Sequence, residues 1–428
     1  MTRAGGVTAL QDFIDALDGV VACQPRFGMA DPGAMRAGLR AIRDLPGPTI
    51  GTITVDAFTR ERRYAKVASA LAAGEPLNGY PIVHEPAEVT RGMIDGVAGP
   101  DFPVQVRHGA GLPGDIFEAA ARAGIDAIEG GPVSYGMVYG RTPLATAIGA
   151  WAASAERWAE VHRARGVTPH VESFAGSLIG QLCPPAMHNA ISILEGAFFL
   201  GHGVESISLS CAQATNPDQD AGTVLALRRL AERYLRGARW HVVFYHFMGL
   251  FPETERGALA LIRSGTRSAA VGGAARIIVK TAAEAHHIPT LDDNLRALRW
   301  TRRCADEFRG EAPSAAALAW SEEIESESRA IIEAVLGLRP TVDGAIEEAF
   351  RTGLLDIPYC LHRDNANAAR PALDRTTGAL RWARAGNVPI PRDHIVQRAD
   401  ASSSAILDDL NYNRREHDRA ARLEHHLV

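Results

Sequence analysis

The feature that most constrains this chain is a repeating order. Short segments rich in β-branched residues, most closed by a polar or charged group, alternate with amphipathic helical stretches. The segments are GVVACQPR (19–26), TIGTITVDA (49–57), VQVRHG (104–109), IDAIEGG (125–131), PHVESF (169–174), SISLSCAQ (206–213), HVVFYHF (241–247) and RIIVKT (276–281), with YPIVH (80–84) as a weaker ninth. Patterns such as GAMRAGLRAIRDL, DIFEAAARAG and GTVLALRRLAERYLRG lie between them. Strands alternating with helices imply crossover connections and a parallel sheet. The pattern predicts an α/β fold, a (β/α)8 barrel of the TIM type. Nine segments are one too many for it, and YPIVH is the one to discard. A doubly wound sheet is the runner-up, weakened because no GxGxxG follows the first strand.

After Pro289 the texture changes. Residues 290–350 read as helices, and residues 351–428 as loops, a short hairpin around LDRTTGALRWARAGNVPIP and a final charged helix. The division expected is a barrel over 1–289 and a mainly helical appendage over 290–428.

Charge excludes some partners. A net charge of −5 offers no basic excess for nucleic acid or an anionic membrane surface. No run approaches the roughly 18 apolar residues of a membrane span, and MTRAGGVTALQDFIDALDG has no signal-peptide core. Five scattered cysteines without a CxxC read as free thiols in a reducing cytoplasm. The pairs His286–His287 and His425–His426 lack a third ligand, and neighbouring helical side chains point apart, so no metal site is expected.

Chemistry concentrates where the strands end, which in a parallel barrel is the active-site face. Arg26 follows the first segment, Arg60 the second, and Arg107 with His108 closes the third. Glu129 ends the fourth, with Tyr135 and Tyr139 on the loop beyond it. Glu172, His246, Met248, Lys280 and Glu284 complete the set expected at this rim. Three arginine forks match the carboxylates of a dicarboxylic acid. Glu129 is placed to take an ammonium group, and the tyrosines to donate to a carboxylate. Each residue alone also has a plainer reading: a solvated strand-end arginine, a tyrosine pair on one helical face, a methionine filling the core. By themselves these residues support a barrel enzyme for a small anionic substrate.

Dispersed motifs agree with one family. QPRFG (24–28), TVDAFTRERRY (54–64), LNGYP (77–81), VQVRHG (104–109), EGGPVSYGMVY (129–139), FMGLFPE (247–253), IIVKTAAEAHHIPT (277–290), LLDIPY (354–359), GNVPIP (386–391) and ILDDLN (406–411) resemble, in order, the large subunit of glutamate mutase. The resemblance implies a (β/α)8 barrel and a radical interconversion of (S)-glutamate and (2S,3S)-3-methylaspartate. It puts substrate-binding arginines at Arg26, Arg60 and Arg107, with His108 beside the last. The amine-binding carboxylate falls on Glu129, and the tyrosines around the substrate on Tyr135 and Tyr139. Lys280 and Glu284 fall on residues that hold the adenosyl ribose. Met248 and Phe174 fall in stretches near the cofactor. The resemblance further implies adenosylcobalamin carried by a separate small subunit, whose DxHxxG motif is missing here, and a heterotetramer built on a dimer of large subunits. The chain departs from the family at Pro132, at Gly136 to Val138, in FAGSLIGQL (174–182), in SCAQ (210–213) and in YHFMGLFP (245–252). Those departures leave open a related mutase for another amino or 2-oxo dicarboxylate, or a binding subunit without turnover. A cobalamin-free lyase or aldolase with a Lys280 Schiff base is a further alternative.

Overall fold

The computed structural model describes residues 10–396 and 402–425. Eight parallel strands form the barrel: β1 (Ala22–Pro25), β2 (Gly51–Thr54), β3 (Val104–Arg107), β4 (Ala127–Glu129), β5 (His170–Ser173), β6 (Ser206–Ala212), β7 (Arg239–Tyr245) and β8 (Arg276–Val279). Each pairs with its sequence neighbour from β2 to β8, and β8 pairs with β1. The seam between β1 and β2 is closed by backbone bonds, Ile50 N–H to the Cys23 carbonyl (3.1 Å) and Thr54 N–H to that of Phe27 (2.8 Å). Most strand residues are buried, and polar residues such as Gln24, Gln105, His170 and Ser208 alternate with apolar neighbours such as Cys23, Val106, Val171 and Ile207.

YPIVH is not a strand. Tyr80 makes a single parallel bridge to Val55. Pro81 then has no N–H to continue a ladder, and the chain turns, with His84 N–H donating to the Pro81 carbonyl at 2.9 Å.

The barrel's interior is polar. Arg276, with no exposed surface, donates to Gln24, Gln105, Glu172 and Ser208. Below it His170 lies between Ser206 and Ser208 and stacks on His241. The helix Leu10–Asp15 closes this end, Gln11 bonding His241 and both Asp12 and Asp15 pairing with Arg239.

The helix Leu291–Glu307 packs on β1, β8 and the helix Glu255–Gly272, in the place of the barrel's eighth helix. The helix Ala315–Leu336 runs along Pro217–Tyr234. The expected hairpin is present, with β9 (Arg370–Leu373) antiparallel to β10 (Leu380–Arg384). Gln219 bonds both the N–H and the carbonyl of Leu380, fixing the hairpin to the barrel. Asp418 caps Thr254 at the start of the helix Glu255–Gly272 and so docks the last described helix, Tyr412–His425.

The cysteines are buried and free. Among the described residues no helix is long and apolar enough to cross a membrane. His286 bonds the Glu253 carbonyl and His287 bonds Asp293. The pair His425–His426 lies outside the described side chains. Glu323, Glu327 and His394 bring possible ligand atoms together, but Arg381 pairs with Glu323, and Trp382 and His394 already engage Glu327.

Candidate active site

Arg107 and Glu129 are the last residues of β3 and β4, which carries both to the C-terminal rim. Arg107 Nε lies 2.7 Å from Glu129 Oε2, with the side chains 5% and 1% exposed. A charge buried this deeply is costly unless paired. Burial is the largest single influence and works against the Arg107 charge, but Glu129 together with Tyr245, Tyr135 and Glu172 outweighs it and holds the guanidinium above its ordinary pKa. The guanidinium also sits 5.1 Å from the Tyr245 ring and 5.5 Å from that of Phe174. Its Nη1 is buried and has no hydrogen-bond partner. The site therefore holds an unused donor that belongs to a charged group.

Glu129 accepts from the Tyr135 hydroxyl at Oε1, and the Tyr245 hydroxyl lies 3.3 Å from Oε2. Burial pushes the Glu129 carboxyl up, Arg107 draws it down, and Glu172 pushes it up again. The loop carrying Tyr135 is shaped by two glycines. Gly130 has φ of +124°, and a Cβ there would overlap Trp151 and the Tyr135 ring. A Cβ on Gly131 would overlap the Glu195 carboxylate. That carboxylate anchors the loop, accepting from Val133 N–H (2.9 Å), Ser134 N–H (2.8 Å), Ser134 Oγ (3.0 Å) and Ser173 Oγ (2.6 Å). Burial pushes its carboxyl up to about 7.

His108 stacks on Trp151 at 5.8 Å and meets the edge of Tyr135 at 5.0 Å. Its Nδ1 accepts from Ala110 N–H at 3.1 Å, which places the proton on Nε2, and that atom has no partner. Burial first, and then the Arg60 charge, hold the ring's pKa down to about 3, so it is neutral. Arg60 donates through Nε to the Val55 carbonyl at 2.8 Å, and burial lowers its pKa. Its side chain passes beside Gly109 and lines, with Tyr139 and Gly140, an open cleft of about 660 Å³. Tyr139 packs edge-on against Tyr135 at 5.6 Å and is 55% exposed.

Arg26 is exposed at the end of β1, and its charge is felt at Arg60, Tyr139 and Lys280. Lys280 is buried, with Nζ 2.5 Å from Glu284. Burial, and then Arg26, lower its pKa to about 8. Arg107, His108, Glu129, Tyr135 and Phe174 thus form one contact set. Arg60 and Tyr139 stand at its mouth, and Lys280 with Glu284 forms a second pair on the same rim. Met248 is half-buried against the core.

Two residues expected at the rim do other work. Glu172 is fully enclosed, bound by Arg276 on one side and by the Tyr245 hydroxyl on the other. His246 points away from the barrel axis, bonding Thr266 at 3.0 Å and accepting from Lys280 N–H at 3.3 Å. Tyr245, Glu195, Trp151 and Arg276 were not foreseen as contributors. Two of them left a signal: strand parity turns Tyr245 inward with His241 and Val243, and Glu195 is the one charge in AISILEGAFFL.

Fold and site define a (β/α)8-barrel protein whose C-terminal rim gathers a buried Arg–Glu pair, further cationic side chains and two tyrosines. The chain belongs to the family described as methylaspartate mutase E chain (MutE), which it matches over residues 9–407. It is 31% identical over 419 residues to the glutamate mutase epsilon subunit of Desulfitobacterium hafniense, covering 92% of this chain and 85% of that protein. It is 33% identical over 380 residues to the protein of the same name from Haloarcula marismortui, covering 86% and 77%.

Proposed function

We propose that this chain is the substrate-binding subunit of a glutamate mutase, interconverting (S)-glutamate and (2S,3S)-3-methylaspartate. The observation that carries the reading is the buried Arg107–Glu129 pair with Arg107 Nη1 unsatisfied. One substrate carboxylate takes that donor, and the ammonium group takes the remaining lone pair of Glu129. Arg60 and Arg26 meet the second carboxylate at the mouth of the cleft. Tyr135 and Tyr139 shield the substrate, and neutral His108 offers its Nε2 proton without adding charge. Holding both ends of a dicarboxylate keeps its parts in register while a carbon–carbon bond is exchanged, and excludes water from them.

The rim suits an adenosyl group. Lys280 is an ammonium with more donors than Glu284 consumes, and Glu284 is partly exposed, so the pair offers a donor and an acceptor to a ribose diol. Adenosylcobalamin supplies, when bound, the radical chemistry that side chains lack. In this reading a separate small subunit carries the cobalamin, and two copies of this chain form the centre of a heterotetramer in the cytoplasm.

The lowered pKa of Lys280 favours a second reading, a barrel lyase or aldolase working through a Schiff base. Glu284 opposes it by keeping the amine charged. Reconstitution separates the two. The chain, a small cobalamin-binding subunit and adenosylcobalamin are mixed with (S)-glutamate, and 3-methylaspartate is sought by NMR. Product that needs all three supports the mutase. Turnover by this chain alone, trapped on Lys280 by borohydride, supports the second reading.

A further inference from the structure

Tyr245 ends β7 with no exposed surface and connects two ion pairs. Its single hydroxyl proton is shared: it donates to Glu172 Oε1 and, more weakly at 3.3 Å, to Glu129 Oε2. Glu129 and Glu172 are register partners on adjacent strands, so two buried carboxylates stand side by side. Unscreened, like charges in that position repel, and one of them takes up a proton. Arg276 neutralises Glu172 from one side and Arg107 neutralises Glu129 from the other. The Tyr245 hydroxyl fills the gap between them, and its ring lies under Arg107.

We infer that Tyr245 is a positioning residue that ties Glu129 through Glu172 to Arg276, and so sets the preference for an amino dicarboxylate over its des-amino analogue. The inference rests on the proposed role of Glu129 in binding the amine. Glu129 already accepts from Tyr135 and faces Arg107 and Tyr245, which leaves it room for one more donor. Without the hydroxyl the carboxylate is free to turn or to take a proton, and either change removes the acceptor that the ammonium needs. The carboxylate-binding donor on Arg107 is untouched, because a phenyl ring still supports the guanidinium.

The test is calorimetric titration of (S)-glutamate and of glutarate into the full-length wild type, Tyr245→Phe, Tyr245→Met and Glu129→Gln. Wild type is expected to prefer glutamate. Tyr245→Phe should lose about tenfold of that preference, the worth of one hydrogen bond to a charged group, with glutarate affinity unchanged. Tyr245→Met also removes the ring and should weaken glutarate as well. A preference that survives in Tyr245→Phe but disappears in Glu129→Gln overturns this inference alone. Equal weakening of both ligands by Tyr245→Phe overturns it too. A wild type without preference overturns the role of Glu129 and the inference with it.

Discussion

The barrel encloses two Arg–Glu pairs on its inner wall, and they differ in what is left over. Arg276 and Glu172 have no exposed surface, and Arg276 spends its terminal nitrogens on Gln24, Gln105, Glu172 and Ser208. Arg107 and Glu129 are nearly as buried, yet Arg107 meets Glu129 through Nε and leaves Nη1 unbonded. The first pair spends both terminal nitrogens of its arginine within the protein, leaves only the Arg276 Nε–H unbonded, and braces the wall. The second is built from the same groups on the same sheet and, in the proposed reading, is completed by the substrate. In the proposed reading an open terminal nitrogen, and not burial or charge, distinguishes the pair that serves binding.

That contrast can be broken experimentally. The largest effect is expected at the closed pair. Arg276→Met leaves Glu172 buried without its cation and should cost about 3–5 kcal/mol of stability. A urea midpoint close to wild type would show that the closed pair is not structural. At the open pair, Arg107→Lys keeps a cation but loses the planar fork. Glutamate affinity should fall roughly 100-fold, within the 2–5 kcal/mol of a broken buried charge contact. Its unfolding midpoint should stay near that of wild type. Next comes the loop that brings Tyr135 to Glu129. Gly130→Ala forces a side chain into a left-handed position against Trp151 and should cost about 1–3 kcal/mol in thermal unfolding.

The smallest effect sharpens the comparison through pH. Burial holds His108 and His246 down to about 3 from 6.5. Between those values the unfolded chain binds protons that the folded one refuses. Their contribution is therefore intact above 6.5 and is lost as the pH falls toward 3. His246→Gln should flatten the acid slope of stability by up to about 1.4 kcal/mol per pH unit. An unchanged slope would mean that His246 is charged in the folded protein.

Much of this was legible in the chain. A charged residue closing an apolar segment has few places to go except a strand end, so Arg107, Glu129 and Lys280 were found with the barrel itself. YPIVH had the composition of a strand, but Pro81 denies it the ladder. Glu129 and Glu172 look alike in sequence, each closing a short strand. Only the distant Arg276, brought across the barrel on β8, makes one structural and leaves the other open. Tyr245 was hidden for the same reason. Its parity was readable, but the two carboxylates that it spans come from strands far from it in the chain.

The most direct measurement is a crystal structure of the full-length chain with (S)-glutamate. The account predicts a ligand carboxylate within about 2.7–2.9 Å of Arg107 Nη1 and the ammonium group on Glu129. Glutamate bound elsewhere, with Arg107 Nη1 still unpartnered, would contradict it.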